Sequence, residues 1–126
     1  MKPATELIHA GAADLGTASP LTTPIYETAT FVFENAQEVV AYNEGRSSKY
    51  LYSRYANPTI VSVERKLAAL DRTEAALLFS SGMAATATLL LTHAKAGAAV
   101  VCGAAVYGGT PHLLNDLLAK FGLATR

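Results

Sequence analysis

The sequence has no tryptophan, a single cysteine and no surplus of either charge, with ten Lys and Arg balancing ten Asp and Glu over 126 residues. Each scarcity excludes something. One cysteine, Cys102, cannot build an intramolecular disulfide framework and suits a reducing compartment. A neutral chain with an isoelectric point near 6.8 offers nucleic acid or an anionic membrane no electrostatic attraction. Long apolar runs are missing too. The greasiest region is broken by Gly82, His93 and Lys95, short of the roughly 18 apolar residues a spanning helix needs. Met1–Glu6 lacks the apolar core of a signal peptide, so the expectation is a soluble, cytoplasmic protein with no nucleic-acid or membrane partner. What is abundant is hydrophobic: 51% of residues, against 16% charged, which argues for a packed core and against disorder.

The chain changes character near residue 60. Residues 1–57 show little periodicity and read as an extended arm that must lie on something else, with one short helix over 36–44. Asn35 is the expected N-cap of that helix, Glu38 follows three residues on, and Gly45 stops it. Residues 58–126 read as the first part of an α/β domain. Asn57-Pro58 is a helix start, with Ile60, Val63, Leu67 and Leu70 on one face and an end near Asp71-Arg72-Thr73. Ala75–Ser80 reads as a buried strand, and the segment from Met83 to Leu91 as a helix buried on several sides. Ala98–Cys102 is a second buried strand. A further helix is expected from Thr110 (cap) and Pro111, presenting Leu113, Leu114, Leu117, Leu118 and Phe121 and closed by Gly122. Leu123–Arg126 leads into another strand. Apolar strands alternating with helices indicate a layered α/β fold with a largely parallel sheet, here incomplete.

Three segments carry candidate chemistry. At Ser80-Ser81-Gly82-Met83 a strand turns through glycine into a helix, so free backbone N–H groups and the helix dipole converge on one spot suited to an anion. Tight packing alone is the commoner use of such a turn. In Tyr52-Ser53-Arg54-Tyr55, the Arg54 guanidinium is a bidentate partner for phosphate and a phenol can add a hydrogen bond; the plain alternative is a surface arginine beside a helix cap. Tyr107-Gly108-Gly109-Thr110 follows the second strand. Ligands in open α/β sheets gather at strand C-termini, so Tyr107 can share a crevice with Ser81 and Gly82 and stack on a heteroaromatic ring, unless it is simply a loop tyrosine.

In this order the segments resemble the Cys/Met-metabolism (transsulfuration) enzymes that use pyridoxal 5′-phosphate. That family includes cystathionine γ-synthases and lyases, methionine γ-lyases and O-acyl-homoserine sulfhydrylases. The arm resembles theirs through Thr5–Gly11 and Thr23–Phe31, and the likeness runs along essentially the whole chain. The resemblance implies the first part of a fold-type-I (aspartate-aminotransferase-like) large domain preceded by an N-terminal arm. It implies that Ser81, Gly82 and Met83 hold the cofactor phosphate and that Tyr107 stacks on the ring and acts in proton transfer. Tyr52 and Arg54 would reach the phosphate of a neighbouring subunit's cofactor, in dimers that share active sites and pair into tetramers. The substrate class implied is a sulfur amino acid or O-acyl-homoserine, undergoing γ-replacement or elimination. Gly109 stands where methionine γ-lyases usually carry cysteine, which favours the other reactions.

Such chemistry needs a lysine to hold the cofactor aldehyde and an acid at the pyridine nitrogen. Lys2, Lys49, Lys66, Lys95 and Lys120 match no catalytic setting of the family, nor do Asp14, Asp71 and Asp116 match its cofactor acid. The chain is therefore expected to be the N-terminal portion of such an enzyme and inactive alone. The alternative is a non-catalytic truncated product that binds phosphate weakly or pairs with a full-length subunit. His9, His93 and His112 are too scattered to suggest a metal, and Cys102 reads as core.

Overall fold

The computed structural model describes residues 3–9 and 20–126. Met1, Lys2, Asp14 and residues 10–11 at the end of the Thr5–Gly11 segment lie outside them. The chain forms two compact units, Met1–Leu78 and Phe79–Arg126.

In the first unit a helix not expected from the arm, α1 (Pro3–His9), packs against α3. Proline at its first position and Glu6 in its first turn are both suited to a helix N-terminus, a local signal that the scattered composition of the arm concealed. Helix α2 (Ala36–Asn43) forms where expected. The Asn35 side chain accepts from the Glu38 N–H at 3.0 Å, and the Glu38 carboxylate reaches back to the Glu34 N–H at 2.9 Å. Gly45 ends the turn at φ +69°, which favours glycine. Lys49 Nζ donates to both Glu38 oxygens at 2.7 Å, tying the chain after α2 back to the helix start. The Lys49 hydrogen bond, then the Glu34 N–H, holds the Glu38 carboxyl below its ordinary value, and the hydrogen bond to Glu38 holds Lys49 above its own. The tie therefore operates at neutral pH. It is lost in acid as Glu38 protonates through its lowered value, and in strong base as Lys49 deprotonates through its raised one.

Helix α3 (Pro58–Asp71) starts on Asn57 and ends with Arg72 in the left-handed region at φ +55°. Asn57 is buried. Its Oδ1 accepts from the Thr59 N–H at 2.9 Å, while Nδ2 donates to the Tyr26 carbonyl and to Ser53 Oγ, both at 2.9 Å. Tyr26 N–H donates to Thr59 Oγ1 at 2.9 Å, and the hydroxyls of Thr23 and Ser62 meet at 2.9 Å. One side chain thus caps the helix and pins the arm across its first turn. Replacing Asn57 with Ala should cost roughly 2–3 kcal/mol, since a cap is lost and buried groups are orphaned together. Urea unfolding of Asn57→Ala measures it, and a loss below about 0.5 kcal/mol would contradict the assignment.

The expected apolar face of α3 is not its buried face. Pro58, Ser62 and Ala68 are buried, whereas Ile60 is 40% exposed and Val63, Leu67 and Leu70 are each 39% exposed. At about 100° per residue the two sets lie on opposite sides of the helix. The small, polar side is the one the arm can approach closely enough to hydrogen-bond. The expected strand at Ala75–Ser80 is also absent. No ladder partner for it exists among the described residues, and Leu77 stands 75% exposed. An extended segment becomes a strand only when a neighbour supplies the other half of its hydrogen bonds.

The second unit is a β-α-β arrangement with a helix before it. Helix α4 (Gly82–His93) is followed by β1 (Ala99–Val100), then a long helical stretch, then β2 (Ala124–Thr125). The strands pair in parallel, Ala99 with Ala124 and Val100 with Thr125, so the strands expected over 98–102 and after Leu123 are found, the first shorter than expected. The helical stretch begins as α5 (Gly109–His112), widens into a π-helical turn (Leu113–Leu117) and tightens into a 3-10 turn (Leu118–Phe121), with Gly122 closing it at φ +78°. It starts before Thr110 because the Thr110 N–H already bonds to the Tyr107 carbonyl at 2.8 Å, placing Thr110 inside the first turn rather than at its cap. Leu113, Leu114, Leu118 and Leu123 form the core, with Met83, Ala87, Leu90, Ala94, Val100 and Cys102 packed on it. The wide π turn changes which leucines face inward, so Leu117 and Phe121 are exposed instead of buried. Helix α4 has no fully buried residue: Met83, Ala87 and Leu90 are half-buried on one side and Leu89 and Leu91 remain exposed, against the expectation from its composition.

Candidate active site

Helix α4 is positioned by its own first turn. Ser81 is extended at φ −157°, and its Oγ accepts from the Ala84 N–H at 3.1 Å, while the Ser81 carbonyl accepts from Ala85 at 3.1 Å. That leaves the N–H groups of Gly82 and Met83 without an acceptor among the described residues. Nothing lies within 4 Å of where a Gly82 Cβ would stand, so the turn carrying these donors borders open space. Two free donors, the positive end of a 12-residue helix and an open approach make a seat for an anion.

A crevice of about 420 Å³ opens beside this turn, lined by Ser81, Gly82, Met83, Thr86, Tyr107 and Thr110. That volume lies within the range usual for small-molecule sites. Tyr107 stands at its edge, 75% exposed. The turn after β1 and the turn before α4 are thus brought together, as the sequence suggested. Thr86 was missed as a site residue. It lies four residues after Gly82, on the same helix face, a spacing that could have found it; its hydroxyl donates to the Gly82 carbonyl at 3.0 Å.

Tyr52 and Arg54 belong to the first unit. There the Arg54 guanidinium sits over the rings of Tyr52 (5.4 Å) and Tyr55 (4.7 Å). Two aromatic faces hold the cation by its quadrupole attraction and leave its N–H edge available. Tyr52 is fixed in turn by an antiparallel bridge to Thr30.

No lysine or aspartate lines the crevice. Lys49 is engaged with Glu38, and Asp116 pairs with His112 Nδ1 at 2.6 Å on an exposed helix face. No group of His, Cys, Asp and Glu able to hold a metal occurs among the described residues.

The fold defines the class first. The structure superposes on metB from Corynebacterium glutamicum with a TM-score of 0.88 at 34% identity, covering 100% of this chain and 31% of that one. The sequence is 39% identical to the L-methionine gamma-lyase of Porphyromonas gingivalis over 95% of this chain and 30% of the relative. It is 40% identical to a probable cystathionine gamma-synthase of Herpetosiphon aurantiacus, over 96% and 35%. The model of the Cys/Met metabolism PLP-dependent enzymes matches residues 4–126. The chain belongs to that family of pyridoxal-phosphate enzymes, and it spans about 30% of the length of the methionine gamma-lyases it matches.

The residues present fit the family's cofactor in part. Two unengaged backbone donors beside open space suit its phosphate, and an aromatic ring at the crevice edge suits its pyridine. The aldehyde-holding lysine has no counterpart in the crevice.

Proposed function

We propose that this chain supplies the phosphate seat and the ring-facing wall of a pyridoxal-phosphate enzyme of sulfur amino acid metabolism, as the N-terminal portion of a longer protein. The observation that carries this reading is the pairing of the free Gly82 and Met83 N–H groups with Tyr107 in one crevice. The bound cofactor would supply an electron sink for reactions at an amino-acid substrate. This chain's residues would do the rest of the local work. Gly82 and Met83 donate to the phosphate, Ser81 keeps the helix start in place through its cap, and the Tyr107 ring covers one face of the heterocycle. The Tyr107 hydroxyl, on an exposed ring at the crevice edge, is the group here best placed to carry a proton to or from substrate.

Tyr52 and Arg54 fit a phosphate approached from a second subunit, because the guanidinium is oriented by two rings and spends none of its donors on a carboxylate among the described residues. A dimer sharing its active sites, paired into a tetramer, is proposed with that assignment. Cytoplasmic residence is proposed with it; among the described residues no helix is long and apolar enough to cross a membrane. The reaction proposed is γ-replacement or elimination on an O-acyl-homoserine, cystathionine or a related substrate. Relatives named for two different reactions stand at 39% and 40% identity, so overall likeness does not choose between them.

The test uses the protein as its gene encodes it. After incubation with pyridoxal phosphate and borohydride reduction, peptide mapping should find no specific label on Lys2, Lys49, Lys66, Lys95 or Lys120. Near-stoichiometric labelling of any of these would overturn the assignment of the reacting lysine to sequence beyond these residues. No cofactor binding by the protein at all would defeat the site itself.

A further inference from the structure

Gly109 is the one glycine of the described residues at which an added Cβ would collide with a neighbour. It would meet Tyr107 Cε1 at 2.8 Å, Met83 Sδ at 3.1 Å and Tyr107 Cδ1 at 3.3 Å. At Gly45, Gly82, Gly97, Gly103 and Gly108 nothing lies within 4 Å, and at Gly122 the contacts are ordinary. The backbone gives no reason for glycine at 109: its φ is not positive, and it is the first residue of a helix. The constraint comes from the side chains around it. Tyr107 bends back over the helix start into the space a side chain at 109 would fill, and the Met83 sulfur bounds the same space.

We propose that Gly109 is a positioning residue for Tyr107. Its missing side chain sets where the phenol ring stands relative to the Met83 end of the crevice, and so fixes the face offered to a flat ligand bound at the α4 N-terminus. This deepens the cofactor reading and rests on it only for the identity of the ligand. The ring is the outer end of a flexible, solvent-exposed side chain. It can therefore move aside when a methyl group arrives, while the core leucines of the same unit are untouched. A substitution here should displace the ring and leave the fold intact.

The test reads position directly. Met1 and Met83 are the methionines of this chain. The protein as its gene encodes it is labelled with ¹³C-methyl methionine, and Met83→Leu assigns the Met83 signal. In the wild type the Met83 methyl should carry a ring-current shift that Tyr107→Leu abolishes. Gly109→Ala should abolish it too, with the thermal midpoint essentially unchanged, whereas Gly108→Ala should retain it. Apo-protein titrated with pyridoxine 5′-phosphate, which has the ring and phosphate but no aldehyde, should bind about two- to tenfold more weakly in Gly109→Ala, the value of one aromatic contact. The inference is overturned if Gly109→Ala keeps the wild-type Met83 shift, or if Gly108→Ala loses it equally. It is overturned as well if Gly109→Ala unfolds while Gly108→Ala does not, because the ring then cannot yield. A wild type whose Met83 signal ignores pyridoxine phosphate would refute the cofactor reading separately, since the ring-current comparison needs no ligand.

Discussion

Gly82→Pro should weaken pyridoxine 5′-phosphate binding by roughly ten- to a hundredfold while leaving helix α4 in place. Proline removes the backbone N–H at residue 82 and nothing else that the helix needs. Residue 82 is the first of the helix, where proline is tolerated because that N–H has no intrahelical partner. Ser81 already has the extended geometry, φ −157° and ψ 158°, that a residue before proline adopts, and nothing lies within 4 Å of the added Cβ. The binding loss corresponds to one hydrogen bond to a charged acceptor. Isothermal titration with the apo-protein measures it, and far-UV circular dichroism checks the helix. Affinity within twofold of wild type, with helix content preserved, would remove the phosphate from this turn.

Leu118→Ala should destabilise the protein by about 2–5 kcal/mol, the usual cost of emptying a leucine site that cannot collapse. Leu118 is fully buried and Leu114 is 2% exposed, at the centre of the cluster between the helical stretch and the β1–β2 pair. Asn115→Ala, on the exposed side of the π turn just before Leu118, should change stability by no more than about 0.5 kcal/mol. Chemical denaturation of both variants provides the comparison. Equal effects at the two positions would mean that the turn does not select the inward leucines as described.

The contrast between those two positions shows where sequence reading runs out. Helix ends were legible because their determinants are local: Asn35 and Asn57 cap within three residues, Pro58 begins a helix and Gly122 ends one. The crevice was legible for a similar reason, since the Ser81-Gly82 turn into α4 and the Tyr107 turn after β1 both carry their own local signals. The inward face of a helix was not. Ile60, Val63, Leu67 and Leu70 are the apolar stripe that 3.6-residue periodicity selects, yet the arm covers the Ser62 side through hydroxyl and carbonyl contacts. Likewise, no periodicity analysis shows that residues 113–117 take a wider turn, which moves Leu117 out of the core.

By itself the sequence determined the starts of α2 and α3, the close of the last helical stretch at Gly122, the parallel β-α-β order of the second unit and the family. These depend on caps, turn residues and motif order, all of which act within a few positions of chain. Tertiary structure alone decided that Ala75–Ser80 is no strand, that Thr86 lines the crevice and that Gly109 leaves room for the Tyr107 ring. Each of those depends on which atoms from distant positions arrive at the same place, and packing, rather than local propensity, makes that selection.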